Sequence, residues 1–422
     1  MVPPSSSAVT RVLDTKPYLT EPATGGVMRP SRMYWLALGA MLLAGCGSAA
    51  TPSASATTIP PMASPSAEAS AVAAPQTATP SASSASGWHR VQGLPQSVGG
   101  ALRDVVATGS GFAAVGSSGV RGPGAAWTSA DGTVWQATPG QAALTSMPLE
   151  GVVATGTGLT AFGFPCPDVG ECVTAAEVTF GGSAWSQAPA FVGAEGAEPA
   201  RFAKIGERLV GVGFAYATVD PVAYAGRVWT SPTGITWTQV PDAPVFAKAQ
   251  INDVAVGPHG LVAVGSAQTG SELGTDAAVW TSPDGLHWTR LASQPDFADA
   301  AMNAIVVSGS GLVAVGQGAL GAAVWTSADG SHWARVADAP SLHDAVMHGV
   351  VSLASSLLAV GYGHDSAAIW TSPDATTWTR VPDGPTFAMA QAVAVAAKGG
   401  DVVVVGGANG ETSPAAIIWT NH

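Results

Sequence analysis

A nine-residue tract, Trp-Thr-Ser-x-Asp-Gly-x-x-Trp, recurs along the chain and commits it to a repetitive fold. It runs from Trp127 to Trp135, from Trp280 to Trp288 and from Trp325 to Trp333, with looser copies from Trp229 to Trp237 and from Trp370 to Trp378. The period, roughly 45 to 52 residues, is that of one supersecondary unit, so the chain reads as an array of such units. A second signature precedes each tract: a short apolar run ending in glycine. Its seven copies end at Gly116, Gly163, Gly213, Gly265, Gly316, Gly361 and Gly406. Another apolar run lies before each, across a Gly-rich turn. One unit is therefore expected to hold four strands. Hydrophobic content of 47%, charged content of 10% and 52 glycines suit short buried strands and tight turns better than amphipathic helices.

Side-chain size orders the strands. The first two of each unit are rich in Ala, Val and Gly, as strands near a crowded axis require, and the Trp residues fall where a wedge widens. The inner runs do not alternate, which predicts sheets covered on both faces. The expected fold is all-β, a seven-bladed β-propeller of four-stranded blades. The seventh unit stops at His422, before any fourth strand, while the folded region begins with an orphan, Trp88-His89-Arg90-Val91. This orphan resembles Trp288-Thr-Arg-Leu291 and Trp378-Thr-Arg-Val381. It is expected to be the outer strand of the last blade, closing the ring and removing an open edge.

The Trp tract resembles the Asp-box (BNR) repeat of sialidase-like propellers, Ser-x-Asp-x-Gly-x-x-Trp, one residue shortened. The resemblance covers residues 87–422 as repeats. In such a turn the Ser and Asp side chains bond backbone N–H groups, Gly takes positive φ and Trp packs inward. Thr233 replaces Asp in the third unit and Ala375 replaces Gly in the sixth, a tolerance that suits structural pins.

Three segments divide the chain: 1–45, an over-extended start plus signal peptide; 46–86, a tether; and 87–422, the propeller. Arg29 and Arg32 precede the apolar run from Tyr34 to Leu43, about ten residues, too short to span a bilayer as a mature helix. Leu43-Ala44-Gly45-Cys46 resembles a bacterial lipobox, which implies cleavage before Cys46 and a lipid on its sulfur; the alternative is an ordinary secretory signal. Met28 or Met33 is the expected initiator. Residues 47–86, nearly all Ala, Ser, Thr and Pro, lack the apolar surface to offset ordering entropy. Cys166 and Cys172 flank one short loop and could form a local disulfide in an oxidising compartment; two thiols alone make a poor zinc site. The expected location is extracytoplasmic, lipid-anchored to the bacterial cytoplasmic membrane. The formal charge of -12 becomes about -14 without residues 1–45, which hold four basic and two acidic residues. That charge argues against nucleic acid as a partner.

Candidate chemistry falls at the start of each first strand. Aligning the units gives Arg103, Glu150, Arg201, Asn252, Asn303, His348 and Gln391, a polar ring at the mouth of an axial funnel. A ring facing a wet channel is polar for that reason alone; it could also bind a polar small molecule, a glycan or sugar acid, or an envelope protein. Arg103 and Arg201 suit bidentate contact with a carboxylate, with Arg121 and Arg227 as loop contributors. The sixth unit gathers His343, Asp344, His348, Tyr362, His364 and Asp365. Its three imidazoles are weak metal candidates, and Glu150 and His348 are weak catalytic candidates. The sialidase resemblance implies an arginine triad, a Tyr-Glu pair and an Asp. Here no Tyr has an evident Glu partner, and Glu150 stands alone where glycoside hydrolysis uses two carboxylates. The leading expectation is a monomeric, non-catalytic binding module without cofactor. A sialidase-like hydrolase or lyase of the cell envelope is the alternative.

Overall fold

The structure, a computed structural model, describes residues 87–92, 100–118, 122–144, 148–155, 158–163, 176–180, 184–187, 197–219, 222–234, 236–270, 274–309, 311–408 and 415–422. The expected signal peptide, Cys46 and the tether lie outside these residues, as do Arg121, Cys166 and Cys172. Six four-stranded antiparallel sheets are each built from strands consecutive in the chain, spanning 101–137, 149–187, 197–239, 249–290, 301–335 and 345–380. We number them blades one to six. A further four-stranded sheet takes three strands from 390–421 and its outer strand, His89–Arg90, from the N-terminal side. There His89 pairs with Thr420 and Arg90 with Trp419. This register matches blade four, where Thr289 pairs with Thr281 and Arg290 with Trp280. Seven like blades are expected from the sequence; among the described residues six blades are built from consecutive strands, and the remaining sheet differs from them in its mixed origin. The fold is an all-β propeller with four-stranded blades.

Each apolar cluster straddles two sheets. Val313 and Val315 of blade five pack with Met347 and Trp370 of blade six. Leu102, Phe112 and Trp127 of blade one pack with Val403, Val405 and Ile418 of the terminal sheet. Second strands are buried almost end to end, as Gly111–Ser117 illustrates. First strands depart from the expected uniform burial: Ala390–Lys398 alternates buried and part-exposed residues, because this strand borders the axial space. The first Trp of each tract is buried, and in blades four to six, as for Trp419 in the terminal sheet, its indole N–H reaches the crossover leading into its own sheet. Trp280 donates to Val245 and Trp370 to Ser341, each at 2.7 Å. On the outer side a guanidinium covers the ring: Arg290, Arg335 and Arg380 stack over Trp280, Trp325 and Trp370, and Arg90 stacks over Trp419.

The nine-residue turns are closed as their residue types require. In blade five, Gly330 N–H donates to Ser327 Oγ at 2.8 Å, and Ser331 and His332 N–H donate to Asp329 Oδ1 at 2.7 and 2.9 Å. Trp333 Nε1 donates back to the Gly330 carbonyl at 3.1 Å. The His332 ring, 2.8 Å from Asp329 Oδ2, together with these N–H donors holds the Asp329 carboxyl well below its usual range; in blade one the Thr133 N–H, at 2.8 Å, is the chief cause that brings Asp131 down to about 2. Gly285 has φ 80°, and a Cβ on it would sit 2.6 Å from Val210 Cγ2 of blade three. Each turn thus plugs against the preceding blade. Ala375 takes φ 66° in the same role and is buried.

Candidate functional site

A β-bulge marks the start of every first strand. The register shifts across Arg103, Glu150, Ala200, Asn252, Asn303 and His348 in blades one to six, and across Val393 in the terminal sheet. Arg201 and Gln391, assigned to this ring by sequence, are not equivalent to the others. Arg201 lies one residue beyond the bulge and Gln391 two residues before it. Ala200 and Val393 hold the position, so the ring is not uniformly polar. A constant spacing marks the position correctly. The bulged residue precedes the strand-two glycine by the same interval throughout: 103 and 116, 150 and 163, 200 and 213, 252 and 265, 303 and 316, 348 and 361, 393 and 406. The glycine is required because the bulge tips a carbonyl onto it. A Cβ on Gly265 would overlap the Gln250 carbonyl oxygen, and one on Gly406 that of Gln391.

The polar bulge residues join neighbouring sheets. Asn252 Nδ2 donates to the Met302 carbonyl of blade five, and Asn303 Nδ2 to the Met347 carbonyl of blade six, both at 2.9 Å. His348 Nδ1 lies 3.1 Å from the Ala392 carbonyl of the terminal sheet. A carbonyl accepts only, so His348 carries its proton on Nδ1, and burial holds its pKa below the usual value. In blade one, Arg103 Nε lies 3.7 Å from Glu150 Oε2 of blade two. The side chains of the expected ligand ring are thus largely engaged in holding one sheet to the next.

One residue further along lies a second set, of which the sequence reading named only Arg201. Asp104, Arg201 and Asp253 line an axial cavity of about 210 Å³, together with His348, Phe202 and the apolar residues of the remaining first strands. Arg201 Nη2 is 3.7 Å from Asp104 Oδ1. The Asp104 carboxylate, in addition, accepts the Val105 and Val152 N–H groups at 2.9 and 3.1 Å, the second belonging to blade two. Asp253 accepts Val254 N–H and, from blade five, Ile305 N–H, both at 2.8 Å. Arg201 is held above its usual pKa chiefly by Asp104. Burial lifts Asp253 to about 6, against the opposing pull of Arg201.

The blade-six cluster is not brought together as a metal site. His348 faces the terminal sheet, whereas His364 accepts from Arg380 Nη1 at 3.3 Å and lies 4.0 Å from Asp344. His343 sits exposed at the end of the 3-10 turn Pro340–Leu342. Among the described residues no group of three or more His, Cys, Asp or Glu could hold a metal ion. Arg227 is paired with Asp242 at 3.3 Å. Among the described residues, no helix is long and apolar enough to cross a membrane.

Isolated bridges join Ala225 to Ala247, Gly321 to His343 and Ser366 to Ala388. Hairpins between strands two and three therefore share a face with the crossovers into first strands. Among the described residues, the longest paired strands two and three are those of blade three, Arg208–Val219 and Val222–Ser231. They carry an aromatic cluster in which Tyr216 lies 6.1 Å from Phe214 and 5.4 Å from Tyr224.

No protein-family model and no curated protein sequence matches the chain. Solved structures do. A structure described as YCF48 bound to D1 peptide superposes with TM-score 0.53 at 14% identity, covering 79% of this chain and 94% of that one. A Trypanosoma rangeli sialidase in complex with the inhibitor DANA superposes with TM-score 0.48 at 11% identity, over 79% of this chain and 59% of the sialidase. A phage phi92 endosialidase gives TM-score 0.43 at 12% identity, over 79% and 68%. At such identities the likeness is one of fold.

Proposed function

We propose that this chain is a non-catalytic binding module, lipid-anchored through Cys46 outside the cytoplasmic membrane, that engages a protein partner on the face carrying the crossovers. Its propeller is read as a closed ring of seven blades, the terminal sheet serving as the seventh. The pairing of His89–Arg90 with Ala416–Asn421 and the cluster shared by blade one and the terminal sheet support that reading. The observation that carries the functional reading is the state of the guanidiniums. Arg103, Arg201 and Arg227 are each already matched by Glu150, Asp104 and Asp242. A sugar acid would have to displace a carboxylate of the chain itself, at the cost of leaving that carboxylate exposed to desolvation without its partner. The aromatic hairpin of blade three is then the most distinctive recognition surface on that face, since Tyr and Phe supply contact area at low entropic cost. The structural neighbour that carries a peptide has this fold.

The test uses the full chain. Incubated with sialosides and aryl glycosides, it is expected to release no product, and crosslinking from Tyr216 in intact cells is expected to capture one protein reproducibly. Turnover abolished by Glu150→Gln or His348→Ala would instead establish the sialidase-like hydrolase or lyase. Cys46→Ala is expected to move the chain from the membrane to the soluble fraction, and retention in the membrane would overturn the anchor.

A further inference from the structure

The axial cavity is unbalanced in charge and in hydrogen bonding. Asp104 and Asp253 face one guanidinium, Arg201, and His348 contributes a neutral ring. With both carboxylates ionised the lining carries one negative charge in excess. Each Asp253 oxygen accepts one backbone N–H, and a carboxylate oxygen accepts about two, so acceptor capacity remains. His348 commits Nδ1–H to Ala392, which leaves Nε2 as a further acceptor on a ring that lines the same space. A volume of about 210 Å³ lies below the roughly 300–1,000 Å³ of ordinary small-molecule sites. It admits a group of a few heavy atoms and excludes a sugar chain.

We propose that this cavity binds a small alkylammonium group, with Asp253 as its counter-ion and His348 as a second acceptor. A primary ammonium brings one positive charge and three N–H donors on a narrow stem, which is what an acceptor-rich lumen with one surplus negative charge lacks. The proposal stands apart from the partner surface on blade three. Below about pH 6 a proton takes the place of the cation, because burial lifts Asp253 to about 6. Arg201 and Asp104 are the charged groups that act on it, and blade five contributes the Ile305 amide. Proton and ammonium therefore compete for one carboxylate.

The group can come from a free amine or from the lysine of a partner, and two probes separate these sources. Titration calorimetry of the full chain at pH 8 is expected to show saturable binding of n-butylammonium. A glycine-flanked lysine pentapeptide binding as well would assign the group to a partner's side chain; its failure beside bound n-butylammonium would assign it to a free amine. Tetramethylammonium, which has the charge and no N–H, is expected to bind about tenfold more weakly or worse. At pH 5, about one unit below the Asp253 pKa, affinity is expected to fall about tenfold. Asp253→Asn should abolish binding. Arg201→Gln removes the competing positive charge and should tighten it severalfold, a gain that misfolding cannot imitate. Absence of saturable n-butylammonium binding overturns the proposal, as does affinity unchanged by pH or weakened by Arg201→Gln.

Discussion

Replacing Trp88 by alanine tests whether a segment far from the last strand in sequence is a full member of the terminal sheet. Trp88 is 5% exposed and packs with Phe387, Ile417 and Trp419. Its ring meets Phe387 edge-on at 6.4 Å. A buried Trp removes up to about 250 Å² from water. At about 25 cal/mol per Å² that is worth roughly 6 kcal/mol, and the retained Cβ and residual burial in the unfolded chain lower it to about 3–5 kcal/mol. An unfolding entropy of about 2.1 cal/mol/K per residue over 87–422 gives about 0.7 kcal/mol per degree. The melting temperature should then fall by about 4–7 °C. Trp378→Ala is the matched reference, since Trp378 is also 5% exposed and immediately precedes the fourth strand, Thr379–Arg380, of a blade built from consecutive strands. Scanning calorimetry of both variants at one scan rate should give similar losses. A loss from Trp378→Ala with an unchanged melting curve for Trp88→Ala would show that the segment merely rests on the sheet, and the ring closure would fail.

Two further perturbations probe the turns and the axis. Gly285→Ala forces a Cβ to 2.6 Å from Val210 Cγ2 at a φ of 80°, and should cost about 1–3 kcal/mol, whereas Gly384→Ala, with nothing within 4 Å, should stay within about 0.5 kcal/mol. Chemical denaturation distinguishes them, and equal effects would refute the plug. Asp253 should titrate near 6 by carboxyl NMR, and Arg201→Gln should raise it further by removing the charge that favours the carboxylate. Because its folded pKa exceeds the unfolded value of about 3.9, folding takes up a proton, so its contribution to stability grows as pH falls through 6 and is complete below about 4. Asp131 acts oppositely: its contribution is present above pH 4 and lost as pH falls towards 2. A midpoint for Asp253 near 4 would remove the case for a strained carboxylate.

The four-stranded unit, the turn chemistry and the orphan strand were legible because each rests on local residue types at a fixed period. Trp-Thr-Ser-x-Asp-Gly carries its own hydrogen bonds, and the Trp-x-Arg pattern of residues 88–90 carries its own stacking partner in Trp419. The site was less legible because a bulge changes which residue faces where. Side chains alternate with a period of two, and one inserted residue exchanges the two faces. Choosing the polar residue near each strand start therefore selected Arg201 and Gln391, where the register holds Ala200 and Val393. Counting back from the strand-two glycine recovers the position, because that glycine exists only to admit the tipped carbonyl. The same count would have found Asp104 and Asp253, one residue on. Their joint placement around Arg201 depends on ring geometry that no local pattern encodes.

The polarity of the bulge position has a structural cause that makes a prediction of its own. In blades four to six the bulged side chain reaches the carbonyl just before the next sheet's bulge: Asn252 to Met302, Asn303 to Met347, His348 to Ala392. By the same rule the Ile251 carbonyl faces position 200, where alanine has no donor to offer. Ala200→Asn should therefore add a bond of the Asn303 kind and stabilise the domain by about 0.5–1.5 kcal/mol, while Asn303→Ala should cost about 1–3 kcal/mol by leaving a buried carbonyl short of a partner. Position 200 is part-exposed, so the larger side chain has room. If Ala200→Asn destabilises while Asn303→Ala is costly, the bond depends on local shape in each seam. The polar ring would then have to be explained by what enters the axis, and the ligand reading of Asn252 and Asn303 would return.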